Sequence, residues 1–438
     1  MRYRSVTCKD ALTNELIEPP HPKPLKYIFK KSQCKMKTLY TKIFLFAFLF
    51  ITLLSICFAQ EKSPAHLGFF YPISTHGTEA ANYTNNFSFH VLTGLSGGEN
   101  GAAIYGLAGM VKGDVNGAQI SGLWNHVTGK VVGLQVAGLL NQSSQASEAA
   151  QIAGISNINL GNSAFQASGI FNKAKLVNGA QFAGISNIAE HNDGIQASGI
   201  ASLSKSVTGI QVSGFASISP EIDGAQIAGI ATISKTVKGV QIAGLSNVAE
   251  KVEGVQISGL INQAKTVKGI QIGLINIADS SDVTIGLINM VKNGDHRLGV
   301  SIDENFNSFL TLRSGGTRVY GIVGIGTNLE VKDLKYGFEA GLGLNLAESR
   351  HFRLDVEGVS KYLTDFEGND FSKFSFQLLP TLKISKGIHL FAGPSLSYMH
   401  SSDLDAVDHT GLTIWDETWR ENYHAALLGF TAGINVRF

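Results

Sequence analysis

The chain has 438 residues, with 35 Lys or Arg, 34 Asp or Glu, 49 Gly, 9 Pro and 3 Cys. This length allows two or three domains. The charge is near neutral and turns acidic once the leader described next is set aside, which argues against the basic footprint of nucleic-acid binding.

In chain order, residues 1–35 come first and sit awkwardly before Met36, which stands where a translation start is expected. They read as sequence upstream of the true start or as an unusually long leader. Lys37 and Lys42 then introduce the apolar run Ile43–Ala59, followed by Gln60 and Glu61. A basic start, an apolar centre and a small residue at the exit make a secretory signal peptide over residues 36–59, cleaved after Ala59. A single membrane anchor is the competing reading, because a run of 17 residues is near the lower limit for a span. No stop-transfer charge cluster follows. Cys8, Cys34 and Cys57 all precede the cleavage point, so the exported chain has no disulfide or thiol chemistry. Lipidation at Cys57 is opposed by Ile56, where a small residue is wanted. Residues 1–59 hold 10 basic and 3 acidic residues; taking these from 35 and 34 leaves 25 and 31.

Residues 60–100 read as an N-terminal β segment. Its strands near Phe70 and at Asn86–Leu92 are candidates to join the C-terminal sheet. From 101 to 295 the chain repeats. Gln stands at 119, 135 and 151 and then every fifteen residues to 271. Gly follows three residues after each of the first ten, from Gly122 to Gly259, and Asn, Ser or Thr follows six after. Two glycines in every unit make helix implausible, and the β-branched residues favour strand. Two architectures fit. In a β-solenoid the unit Val237–Lys251 divides into three five-residue sides, with glycines at corners. Gln then stacks on Gln and Asn on Asn as amide ladders. Eleven rungs at about 4.8 Å give a rod of roughly 50 Å. In an antiparallel meander each unit is one strand and one hairpin, long enough to cross a membrane at a tilt. The solenoid is favoured, because Val207, Ile222, Val237, Val252 and Val267 would otherwise sit in loops.

From 296 to 438 the pattern changes to alternation. Tyr336, Phe338, Ala340, Leu342, Leu344 and Leu346 share one face, and Glu339, Gly341, Gly343 and Asn345 the other. Phe374, Phe376, Leu378, Pro380, Leu382 and Ile384 repeat the pattern. Phe352, Leu354 and Val356 oppose Arg353, Asp355 and Glu357. Large apolar residues on one face and charges on the other fit a lipid-facing wall around a polar lumen; a soluble sandwich would also alternate. About eight strands fit between Arg297 and Phe438, enough to close a small barrel. The polar stretch Ser401–Tyr423 reads as a long external loop.

The G-x-Q-[IV]-[AS]-G-[LI]-x-N units resemble a family of bacterial surface-repeat proteins of unknown function, found in spirochaetes and the Bacteroidota. This resemblance covers about residues 67–295. The last strand, alternating up to Phe438, resembles the terminal strand of outer-membrane barrels. The resemblances imply a surface location, outer-membrane lipid as a partner, and recognition by the barrel insertion machinery through the strand that ends in Phe438. They supply no catalytic residues.

The expected fold is therefore all-β, a repeat region followed by antiparallel barrel strands. Three functions compete: a barrel-anchored surface protein with a structural or interaction role, a larger channel whose repeats add strands, and an outer-membrane enzyme. The enzyme is least favoured, and no catalytic, metal or cofactor residues are assigned. Gly94-Leu95-Ser96-Gly97-Gly98 matches the nucleophile-elbow pattern but lacks the following helix, so it reads as a hairpin turn. Gly321, Gly324 and Gly326 imitate a nucleotide loop with no helix after them. His400, Asp403, Asp405, Asp408 and His409 read as a solvated loop rather than a metal site. A surface ligand for the repeats stays unknown, because their exposed positions vary between copies and form no single patch.

Overall fold

The computed structural model describes residues 41–46 and 61–438, apart from 146–147, 317, 332–333, 369, 403–409 and 420–421. The chain divides into two units, residues 1–61 and residues 62–438. In the first, Thr41–Phe46 are helical; the rest of the signal peptide expected over 36–59 lies outside the described residues. The second unit contains a parallel β-solenoid and a closed antiparallel barrel.

In a representative rung, strand Thr236–Ala243 pairs in parallel with Lys251–Ser258, with Val237 beside Val252 and Gln241 beside Gln256. The short side Ser246–Val248 pairs with Ile261–Gln263, with Asn247 beside Asn262. The strands are parallel with a fifteen-residue offset, so the repeats form a solenoid and not a meander. Val237, Gln241, Ala243, Asn247 and Ala249 point inward. Side chains alternate along a strand, so burial of Gln241 and Ala243 turns Ile242 outward.

The interior is therefore narrow and mixed: an apolar row that includes Val207, Ile222, Val237, Val252 and Val267 lies beside stacked amides. Gln256 Nε2 donates to Gln241 Oε1 at 2.8 Å, and Gln271 repeats the bond at 2.9 Å. Asn247 Nδ2 donates to Asn262 Oδ1 at 2.9 Å and to the Ile257 carbonyl at 2.7 Å. An amide carries donor and acceptor together, so Gln satisfies Gln all along its ladder, and Asn satisfies Asn except where Ser202, Ser217 and Thr232 take its place. Glycines let the rungs approach. Gly239 has φ +127°, and a Cβ there would lie 2.1 Å from the Gly224 carbonyl oxygen.

The stack starts earlier than the Gln repeats. Strand His66–Phe70 pairs in parallel with Tyr83–His90, which pairs with Gly98–Tyr105. The strands near Phe70 and at Asn86–Leu92 thus belong to the solenoid and not to the barrel sheet. Gly94–Gly98 is likewise not a hairpin turn: Thr93–Ser96 pairs in parallel with Ala108–Val111, at a corner between sides of the stack.

The barrel contains β1 (Asp295–Asp303), β2 (Asn307–Gly315), β3 (Val319–Asn328), β4 (Tyr336–Glu348), β5 (Phe352–Thr364), β6 (Asp370–Lys383), β7 (Ile388–Ser401), β8 (Leu412–Trp419) and β9 (Asn422–Arg437). Neighbours pair antiparallel, and β9 pairs with both β7 and β1. Eight strands therefore close the ring, as the alternation predicts. β8 pairs only with the first half of β9 and is exposed throughout. The stretch expected to be one long loop thus includes a strand.

Candidate functional site

Alternation in the barrel strands sorts the side chains as expected: Phe352 and Phe376 are exposed, while Arg353, Asp355 and Glu357 are buried. Inside, three layers fill the lumen. Near the solenoid, Arg313 grips Glu357 with two bonds, Nε to Oε1 at 2.7 Å and Nη2 to Oε2 at 2.9 Å. Tyr320 donates to the same carboxylate at 2.7 Å. Arg353 joins Asp295 at 2.6 Å and Asp355 at 2.7 Å, and Arg297 reaches Asp355 at 3.2 Å. The Arg297 guanidinium lies over the Tyr320 ring, 4.7 Å from its centre.

In the middle layer Asp303 accepts from Lys361 at 2.9 Å and Lys373 at 3.1 Å, and Lys373 also pairs with Glu304 at 2.8 Å. At the far end Phe309, Leu363, Phe371, Met399 and Leu427 form an apolar plug with Leu334. Arg313, Arg353 and Lys373 are each 2% exposed. A water-wide passage past them would leave more of their surface open. Eight-stranded barrels have room for side chains and little else.

The solenoid's first rungs replace the amide ladders with a different cluster. Glu99 is fully buried and accepts from Ser88 at 2.8 Å, Asn85 at 3.3 Å, Tyr105 at 3.2 Å and also Ser96. Burial pushes its carboxyl above the usual range, against the pull of these donors. His66 packs against His76 and His90, with ring centres 4.5 and 4.4 Å apart. Burial, then the neighbouring His90 and His76, pushes His66 down to about 3. Burial, then His76, takes His90 to about 4. His66 and His90, held neutral, and the many-bonded Glu99 carboxyl plug this end of the solenoid, with His66 Nδ1 and His90 Nδ1 buried without a hydrogen-bond partner. Ser96, the serine of the elbow-like motif, is buried within it and serves as a donor to Glu99.

The remaining sequence candidates separate. Gly321, Gly324 and Gly326 are in barrel strand β3. His400 is in β7, its ring 4.6 Å from that of His424. Asp403, Asp405, Asp408 and His409 lie outside the described residues. Among the described residues, no group of three His, Cys, Asp or Glu is arranged to hold a metal.

One surface escaped the sequence reading. Ile242 and Leu245 are 36% and 46% exposed, and their counterparts Ile257 and Leu260 match them at 36% and 45%. The exposed positions therefore do form a patch, an apolar edge along the rod. Gln is constant in all eleven copies, whereas the next residue is Ile, Val, Ala or Phe. That constancy was the available sign of which residue points inward.

Compared with known proteins, the chain matches no family model, no curated protein and no solved structure.

Proposed function

We propose that this protein is an outer-membrane protein in which the eight-stranded barrel is an anchor and the solenoid is a structural or interaction module. The observation that carries this reading is the inverted barrel, apolar outside and ion-paired inside. In water, such a wall would expose apolar surface far beyond the patches soluble monomers tolerate; in a bilayer it is the expected arrangement. The filled lumen favours an anchor over a channel. Export by the basic and apolar segment 36–59 belongs to the same reading.

The turns support a sidedness. At the solenoid end the strands are joined by residues 316–318, 349–351 and 384–387; at the other end 304–306 is as short, but 329–335, 365–369 and 402–411 are longer and the β8–β9 hairpin is added. Outer-membrane barrels keep short turns on the periplasmic side and long loops outside. The solenoid is thus assigned to the periplasmic side and the β8–β9 hairpin to the cell surface. The surface location that the resemblance implies then applies to the hairpin and not to the repeats.

The test is extraction and protease treatment of intact cells. The expected result is a protein released only by detergent, cut near Leu412–Trp419, with the repeats protected. Release by carbonate alone rejects the membrane anchor; cutting within the repeats rejects the sidedness.

A further inference from the structure

The solenoid carries a surface that an inert spacer does not need. In all eleven copies the six residues after the repeated Gln include no Asp, Glu, Lys, Arg or His. The residue after the corner glycine is Leu, Ile or Phe in every rung from Leu107 to Leu287. The backbone N–H of Leu123 bonds to the Leu107 carbonyl, Leu139 to Leu123, and Leu245 to Ile230, so these side chains form one row. Phe215 is 53% exposed, although its copies flank it on both sides. Charge is gathered on the opposite edge, where Lys265 pairs with Glu250 at 3.5 Å and Lys268 with Glu253 at 3.8 Å. The rod is amphipathic along its length, with an apolar row of about 50 Å over the eleven Gln rungs.

The row runs into the barrel wall. Gly321 points outward from β3 against the last corner: a Cβ there would lie 2.0 Å from the Gly286 carbonyl oxygen and 2.2 Å from that of Leu287. Leu287 lines a groove on the barrel exterior with Leu342, Leu344, Phe374 and Phe376. The row and the wall are one continuous apolar surface, and at their junction they meet the same medium. A second copy seated on the row would run onto the wall at Leu287.

We infer that the apolar edge of the solenoid is a lipid-binding surface. It lies in the phospholipid leaflet at the short-turn end of the barrel, with the charged edge turned to water. This rests on the membrane reading of the barrel. Each rung then contributes two apolar side chains to the acyl boundary, as an interfacial amphipathic helix does with its apolar face, and the repeat number sets how much membrane the rod covers.

The experiment uses the full chain, with Cys8, Cys34 and Cys57 changed to Ser, refolded into phosphatidylethanolamine–phosphatidylglycerol vesicles. Single cysteines carrying a fluorophore replace Leu245 or Leu260 on the edge, Lys238 on the charged side and Leu344 on the barrel wall. Bromine-labelled lipid and aqueous iodide serve as quenchers. The expected result is lipid quenching at 245 and 260 equal to that at 344, with iodide quenching only at 238. Two edge positions guard against one variant misfolding, which heat-modifiable gel migration reports. Iodide quenching at both edge positions, with lipid quenching kept at 344, overturns the inference and leaves the barrel reading intact. Loss of lipid quenching at 344 as well overturns both. Protection of 245 from both quenchers, with disulfide formation between copies when the cysteine at 245 is left unlabelled and exposed to oxidant, overturns the inference in favour of self-association.

Discussion

The solenoid and the barrel both bury polar side chains, yet they satisfy them differently. The solenoid uses neutral amides that satisfy their own copies, Gln181 donating to Gln166 and Gln196 to Gln181. The barrel uses opposite charges from distant strands, Arg313 with Glu357 and Lys373 with Asp303. A translational stack places identical residues next to each other, and identical charges would repel, so it is filled by self-complementary amides and by apolar side chains such as Val237 and Val252. A closed ring places different residues face to face, which allows ion pairs. The solenoid interior is therefore local and repeatable, whereas the barrel interior is a single non-repeating network.

The largest expected effect comes from breaking that network. Glu357→Leu leaves Arg313 buried without its partner, a loss of about 3–5 kcal/mol. Replacing both Arg313 and Glu357 by Leu should recover most of it, because no unpaired charge is left behind. Urea unfolding in vesicles measures both. A double variant as unstable as the single one would mean that the pair itself, and not the orphaned charge, sets the cost.

Glycine sharpens the contrast between the regions. At Gly239 the positive φ alone costs a substituted residue roughly 1–3 kcal/mol, and a Cβ 2.1 Å from the Gly224 carbonyl oxygen forces rungs apart. At Gly358 in β5 an added Cβ meets only the Phe376 ring, at 3.6 Å. Gly239→Ala should therefore raise amide exchange over the neighbouring rungs, while Gly358→Ala leaves exchange in the barrel unchanged. A smaller loss follows from Asn187→Ala. Asn187 donates to the Gln181 and Ala197 carbonyls at 3.2 and 2.7 Å and accepts from Asn172 at 3.0 Å. Stranding these buried groups costs about 1–3 kcal/mol, and Asn187→Ser should recover part of it, since Ser202 and Ser217 fill the equivalent position.

The same contrast explains what could be read from the residues alone. Phe352-Arg353-Leu354-Asp355 has the period of a strand, so wall and lumen were legible, as was the strand number. The pairing of Arg313 with Glu357, 44 residues apart, was not, because it depends on register around the ring. In the repeats the spacing of Gln and Asn disclosed the ladders. The apolar residues at 237, 240, 242, 245 and 248 have no simple period, so their direction was hidden: Val237 faces in and Leu245 faces out. His66–Glu99 lacked the Gln signal and read as a separate segment. Parallel backbone pairing needs no side-chain amide, so this segment stacks on the rest of the solenoid.

The smallest effect is expected from removing a whole rung. Residues Gly179–Asp193 make one complete turn: Gln181 sits between Gln166 and Gln196, and Asn187 between Asn172 and Ser202. Deleting them brings Gln166 beside Gln196 and Asn172 beside Ser202 with no change of register or strand direction. Phe165, which now pairs with Ala180, would pair with Ile195, and Ile195 is exposed, so no charged residue enters the interior. The barrel loses nothing, because Asn289 still ends the ladder on Ser314, with its side chain 3.0 Å from the Ser314 carbonyl. Barrel heat-modifiability should be unchanged after one deletion and after two, and the solenoid's unfolding free energy should fall by a similar increment each time. An antiparallel arrangement would respond differently, since one deletion reverses every later strand and two restore them. Assembly that fails with one deletion and returns with two would reject the stacking; equal tolerance would mean that each rung meets only its neighbours, while the barrel keeps its own closed account of charge.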